Sequence, residues 1–270
     1  MAITAVAPDA DLKRHYADNG VVHVPAVLNA DEVALLRDAF TEQVENDNSI
    51  GHNDNVPADD VLARYPRFIH PHRRPELKVG QLARTYMLDR RILDRVESMV
   101  GPVNGAQSMF YFKPPTARGQ SMHQDNLFLQ SHPETCIAVW IAMDRVDGEN
   151  GGLKLVPKSH RYDLVCPGEA DTELSFSNEA VQLPPDMIPE QTIMEPGDAI
   201  FFHGNIVHGS DPNRTTDRFR RSLIFHYIPK SSTRVSKYYM PLLDPNGTEL
   251  FVTESAGGGV CGEGWVAGPH

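Results

Sequence analysis

His123 and Asp125, two positions apart in Ser121-Met-His-Gln-Asp-Asn-Leu-Phe-Leu129, carry the clearest chemistry in this chain. In an extended strand, residues i and i+2 point to one face. An imidazole nitrogen and a carboxylate oxygen can then converge on one metal ion. Together they supply two ligands of a facial triad, which leaves coordination positions open on non-haem Fe(II). A second His-x-Asp, His52-Asn53-Asp54, lies in a polar stretch without a strand pattern and reads as a solvated loop. The copy at His123 is followed by the apolar run Leu127-Phe-Leu129 and has third-ligand candidates downstream.

His203 and His208 compete for the third position. By strand alternation His208 and Ser210 share a face, as do Arg220, Ser222 and His226. A metal ligand, a hydroxyl and a guanidinium on neighbouring strands describe a pocket for a chelating dicarboxylate, because arginine grips a carboxylate through two parallel hydrogen bonds. His203 stands beside a turn glycine without such companions, so His208 is preferred. Arg218 and Arg221 flank Arg220 and compete with it for the inward position. Taken singly, a strand histidine is usually a core or surface group and an arginine a solvated charge. The ordered set gives the reading its weight.

These residues need a scaffold. The chain has 270 residues, 40% of them hydrophobic, enough for one substantial core with long decorations over 1–270. A net charge of −11 excludes a general nucleic-acid binder. No apolar run approaches membrane-spanning length, so no membrane partner is expected. The N-terminus lacks the features of a secretion signal, and Ala-Gly-Pro-His at the C-terminus is no peroxisomal or prenylation signal. Three cysteines, Cys136, Cys166 and Cys261, are an odd count without CxxC spacing. That predicts neither a disulfide framework nor a zinc site and fits a reducing cytoplasm.

The first 100 residues or so read as largely helical. A short helix over 9–18 stops at Asn19-Gly20, and a strand follows from Val21. Asn29 caps a second helix with Val33, Leu36, Ala39 and Phe40 on one face. Residues 76–100 read as one further helix. Between them, Arg64-Tyr-Pro-Arg-Phe-Ile-His-Pro-His-Arg-Arg74 packs four arginines and two histidines into an acidic protein. The plain reading is a surface loop of charge-paired arginines; the sharper one is a docking patch for an anionic substrate group. From about 106 to 230 the texture is strands and tight turns, with Cys136–Met143 as a buried central strand. Residues 161–190 form a long acidic segment, the usual mark of a lid or of disorder. An irregular tail follows. The expected fold is mainly β with N-terminal helices: a double-stranded β-helix, or jelly roll, flanked by α-helices.

Several motifs extend the pattern: Lys78-Val-Gly80, Gln107-Ser-Met-Phe-Tyr-Phe-Lys-Pro-Pro115, Met122-His-Gln-Asp125, Val139-Trp-Ile-Ala142, Glu149-Asn-Gly-Gly152, Pro157-Lys-Ser-His160, and His208-Gly-Ser210 with Arg220. With them the chain resembles the phytanoyl-CoA dioxygenase family of Fe(II)- and 2-oxoglutarate-dependent oxygenases, from about Lys78 to Tyr227. It looks most like the phytanoyl-CoA dioxygenase domain-containing branch. The resemblance implies that His123, Asp125 and His208 hold iron, and that Lys78, Met109, Trp140, Ser210 and Arg220 line the 2-oxoglutarate site. It also implies use of O2 and hydroxylation of a small organic substrate, with release of succinate and CO2. Asp125 supports hydroxylation, because related halogenases carry a small residue there. Two departures stand out: the arginine is one residue further from the distal histidine than usual, and Lys158 stands where glycine is common. The competing readings are a cupin-like enzyme that does not use 2-oxoglutarate and a catalytically silent jelly-roll binding protein.

Overall fold

The structure is a computed structural model that describes every residue except 1, 4, 7–10, 53–55, 186, 257–258 and 263–270. Of His52-Asn53-Asp54, only His52 is described.

The N-terminal helices begin and end where local chemistry dictates. Asp11 accepts from the Arg14 N–H to start α1 (Leu12–Asn19), and Gly20 ends it at φ +71°. Asn29 and Glu32 form a reciprocal capping box at the start of α2 (Ala30–Asn46). The single helix expected over 76–100 is two, α3 (Lys78–Met87) and α4 (Arg90–Val100). Asp89 separates them by accepting the Arg91 N–H at 2.8 Å, which caps a new helix instead of continuing the old one.

The strands that matter are β1 (Val21–Val24), β2 (Arg67–Ile69), β3 (Val103–Lys113), β4 (Gln120–His123), β5 (Ile137–Ala142), β6 (Leu153–Leu155), β7 (Glu190–Thr192), β8 (Ala199–His203), β9 (His208–Ser210) and β10 (Arg220–Pro229). The larger sheet runs β3-β10-β5-β8-β1, with Leu242–Leu243, Glu249–Leu250 and β2 added beyond β3. The smaller runs Ala2–Ile3, β7, β6, β9, β4.

Alternation sorts the larger sheet into two faces. Phe110, Val139, Phe201, Leu223 and Phe225 pack with Leu36 and Phe40 of α2, Ala83 of α3 and Ile92 and Val96 of α4. Met109, Tyr111, Trp140, Phe202 and Ile224 pack with Leu153 and Leu155 of β6 in the smaller sheet. The architecture is the jelly roll expected from the sequence, with helices covering one face of the larger sheet.

Residues 161–190 are stitched to the strand that carries His123. Gly119 N–H donates to the Leu174 carbonyl at 2.7 Å, Phe176 N–H to the Gly119 carbonyl at 3.0 Å, and Val181 N–H to the Met122 carbonyl at 2.7 Å. Lys158 adopts φ +70°, the conformation that glycine would take without cost.

The cysteine expectation is corrected. Cys166 and Cys261 are joined by a disulfide across a sequence separation of 95, and Cys136 is a buried free thiol. The bond ties the tail to the 161–190 segment. The argument from cysteine usage to a reducing compartment therefore loses its support. Among the described residues, no helix is long and apolar enough to cross a membrane.

Candidate metal centre

His123 and His208 face each other across the β4–β9 ladder, and their rings lie 4.1 Å apart between centroids. Asp125 Oδ1 is 3.7 Å from His123 Nε2 and 3.4 Å from His208 Nε2. One donor atom from each of the three residues falls within 4.8 Å of the others, and all three side chains are buried. His203, the rival third histidine, lies elsewhere: its Nδ1 accepts the Asn205 N–H at 3.1 Å, and its ring packs on His160 and Tyr16.

Convergence of His123 and Asp125 follows the i, i+2 spacing, but at the very end of the strand and not within it. β4 ends at His123, and Asp125 is the first residue of a short helix, α5 (Asp125–Leu129). Gln124 between them is extended, with φ −128° and ψ 122°. Its side chain is clamped on both sides: Nε2 donates to the Asn205 carbonyl at 2.9 Å, and Oε1 accepts the Val165 N–H at 2.9 Å. The extended Gln124 turns both side chains to one side, and its clamped side chain fixes the strand-to-helix junction.

The hydrogen bonds also set which nitrogen of each ring is available. His123 Nδ1 lies 2.7 Å from the Ser121 carbonyl and His208 Nδ1 3.0 Å from the Ile206 carbonyl. A carbonyl only accepts, so each Nδ1 carries the proton and each Nε2 keeps its lone pair. Burial, reinforced by His208, lowers the pKa of His123 to about 3, so that ring is neutral at physiological pH. His226, on β10, reaches Asp125 Oδ2 through Nε2 at 3.0 Å. That contact holds the carboxylate with Oδ1 toward the two histidines. Two imidazoles that present Nε2 to one point and one oriented carboxylate suit a divalent transition metal such as Fe(II).

Met109, Tyr111, Trp140, Ser210 and Arg220 line the same pocket. Arg220 is 4% exposed, and Trp140 lies beneath its guanidinium at 5.5 Å. Its Nε donates to the Gly151 carbonyl at 3.3 Å and Nη1 to Ser222 Oγ at 3.1 Å, so no carboxylate is among these partners. Burial lowers its pKa to about 10, which still leaves it a cation at neutral pH. The flanking arginines point elsewhere: Arg218 binds Asp147 and Glu149, and Arg221 binds Asp144.

Lys78 does not face this pocket. Its side chain is 63% exposed, and its Nζ lies 3.8 Å from Glu42 Oε2. Position Lys78 on α3 turns it to the outer surface, whereas α3 buries Val79, Gly80 and Ala83. The buried lysine that reaches a pocket-lining group is Lys113, in Phe-Tyr-Phe-Lys-Pro-Pro115, which closes β3 opposite Arg220 and bonds to Ser210. Its partner-strand position was the available signal, but it required the β3–β10 register. The spacing gives His226 only as a face-mate of Arg220; its contact with Asp125 depends on how α5 packs against β10.

Known proteins share this fold. The 2-oxoglutarate-dependent carbocyclase SnoK from nogalamycin biosynthesis superposes with a TM-score of 0.67 at 22% identity, covering 86% of this chain and 88% of its own. The epimerase SnoN from the same biosynthesis gives 0.65 at 22% identity, covering 82% and 80%. At such identity these structures speak for the fold alone. The class is that of the non-haem iron, 2-oxoglutarate-dependent oxygenases. Within it, the chain belongs to the phytanoyl-CoA dioxygenase (PhyH) family, whose model matches residues 16–222. The peroxisomal phytanoyl-CoA dioxygenase of Rattus norvegicus is 27% identical over 229 residues, covering 80% of this chain and 67% of the relative. A probable phytanoyl-CoA dioxygenase of Caenorhabditis elegans is 27% identical over 245 residues, covering 81% and 74%. The phytanoyl-CoA dioxygenase domain-containing protein 1 homolog of Caenorhabditis briggsae is 31% identical over 140 residues, 48% of each chain.

Proposed function

We propose that this protein hydroxylates a small organic substrate, with His123, Asp125 and His208 holding Fe(II) and Ser210 and Arg220 receiving the far carboxylate of 2-oxoglutarate. Met109 and Trp140 supply the apolar walls of the cosubstrate site; Lys78 has no part in it. The observation that carries this reading is the placement of Asp125 Oδ1 between two Nε2 lone pairs at 3.4 and 3.7 Å. The bound metal and cosubstrate supply the oxidising chemistry, in which O2 is consumed, 2-oxoglutarate becomes succinate and CO2, and a substrate hydrogen is replaced by hydroxyl. The protein orients the participants and keeps water out. His226 and the carbonyls of Ser121 and Ile206 hold the donor atoms, while Arg220 and Ser210 fix the cosubstrate's far end. A carboxylate at position 125 favours hydroxylation over halide transfer.

The substrate is proposed to carry an anionic group. In the basic stretch 64–74, Arg74 is ion-paired, with Glu76. Arg67 is half-buried, donates Nη1 to the Tyr111 hydroxyl at 3.1 Å, and lies under Phe176 of the 161–190 segment at 5.3 Å. Tyr111 lines the pocket, so Arg67 offers its remaining N–H groups next to a pocket-lining side chain.

The test is anaerobic addition of candidate carboxylates and matched neutral compounds to the Fe(II)–2-oxoglutarate complex, scored by a change in its visible band. Hits are then followed by succinate release. Substrate-dependent succinate with an anionic compound, abolished in Asp125→Ala, is expected. Wild-type-like succinate formation by Asp125→Ala would refute the ligand assignment, and response to neutral compounds alone would refute the anionic substrate.

A further inference from the structure

Lys113 is buried, with 2% of its surface exposed, in register opposite Arg220. An ammonium has three donors and no acceptor. The three are matched by Ser210 Oγ at 2.7 Å, the Asp211 carbonyl at 2.7 Å and the Gly151 carbonyl at 3.1 Å. None of these oxygens carries a formal charge, and the Asp211 carboxylate is turned to Lys154 instead. Burial first, and the neighbouring Arg220 charge second, pull the Lys113 pKa well below its ordinary value. Holding an ammonium beside a guanidinium among uncharged partners is costly, and an incoming anion relieves that cost.

The same contacts decide what Ser210 can do. Its Oγ receives the Lys113 ammonium at 2.7 Å and the Gln120 backbone N–H at 3.3 Å. A hydroxyl has two lone pairs and one proton. Both lone pairs are then engaged by donors, and the O–H is left to donate into the pocket that Ser210 lines. Only an acceptor satisfies it there, which is what a carboxylate offers.

The turn beneath is shaped for this role. The Gly151 carbonyl accepts from both Lys113 and Arg220. Gly151 has φ +70°, and a Cβ there would come within 2.5 Å of the Asp211 carbonyl and 2.8 Å of Lys113 Cδ. The Glu149-Asn-Gly-Gly152 motif thus holds both side chains at one hub.

We propose that Lys113 is a positioning residue for the cosubstrate: it fixes the Ser210 hydroxyl as a donor toward the carboxylate that Arg220 binds. The proposal rests on the reading of Ser210 and Arg220 given above. Lys113 acts through Ser210 because its own three donors are already engaged.

The test is an anaerobic titration of the Fe(II)-loaded protein with 2-oxoglutarate, followed by the visible band, for wild type, Lys113→Met, Ser210→Ala and the double variant. Lys113→Met is expected to weaken 2-oxoglutarate binding by about 10-fold or more, the scale of a hydrogen bond to a charged group. It raises KM for 2-oxoglutarate far more than it lowers kcat. In the Ser210→Ala background the same substitution costs less than about 3-fold, because coupled residues are not additive. Melting curves of the Zn(II) forms check folding; if Lys113→Met is unfolded, Lys113→Gln takes its place. Wild-type affinity in a folded Lys113 variant, or losses that multiply in the double variant, would overturn the proposal. Failure of the wild type to bind 2-oxoglutarate would overturn the underlying function as well.

Discussion

His226 Nε2 lies 3.0 Å from Asp125 Oδ2, with both side chains buried. The contact leaves Oδ1 as the carboxylate oxygen facing His123 and His208. A carboxylate freed from such a partner can rotate, and loss of a hydrogen bond behind a metal ligand typically costs about 10–100-fold in affinity. His226→Ala is therefore expected to weaken Fe(II) or Co(II) binding by roughly that factor. His226→Gln, which keeps a donor, should recover much of the loss. Metal titration at fixed pH checks this, and unaltered affinity in His226→Ala would remove His226 from the account.

Much of this site was legible in the sequence, because short motifs carry their chemistry with them. His123, Asp125 and His208 were readable as a set, whereas only the family resemblance singled out Arg220 from its two neighbours. What the spacing could not give was three-dimensional cause. Asp125 reaches His123 through a strand end and a helix start, held by Gln124, and not through an unbroken strand. Lys78 and Lys113 are both lysines in recognisable motifs. Only the β3–β10 register, which sets Lys113 opposite Arg220, separates the exposed one from the buried one. Asp89 can be seen as a cap only once the chain is known to turn there. The Cys166–Cys261 pair, with a separation of 95, depends on where the tail returns, which no local pattern records.

Acid should destabilise the protein through its buried neutral histidines. His72 Nδ1 lies 2.6 Å from Ser108 Oγ, and burial, reinforced by Arg73 and Arg84, holds its pKa at about 3. The value in an unfolded chain is about 6.5. Above about 6.5 the ring is neutral in both states and its contribution is fully present. As pH falls from there toward about 3, only the unfolded chain takes up the proton, so stability drops by up to about 1.4 kcal/mol per unit. Urea unfolding in the presence of a chelator should show a falling midpoint between pH 7 and 5, with a shallower slope in His72→Asn. A flat profile, or an equal slope in the variant, would contradict this.

The disulfide makes a prediction that needs no cofactor. Denatured without reductant, the chain should expose one titratable thiol, from Cys136; after reduction it should expose three. Cross-linking so distant a pair typically contributes about 2–4 kcal/mol. Dithiothreitol should therefore lower the unfolding midpoint of the wild type and leave Cys261→Ser unchanged. Three thiols in the unreduced protein would show that the bond is absent.

The most direct measurement is an anaerobic Fe(II) titration of the wild type beside His123→Ala, Asp125→Ala, His208→Ala and His203→Ala, each checked for folding by circular dichroism. One Fe(II) per chain is predicted for the wild type and for His203→Ala. A loss of at least about 100-fold in affinity is predicted for the other three, since each removes a ligand and not merely a hydrogen bond behind one. Wild-type affinity in a folded His123, Asp125 or His208 variant would contradict the three-ligand centre.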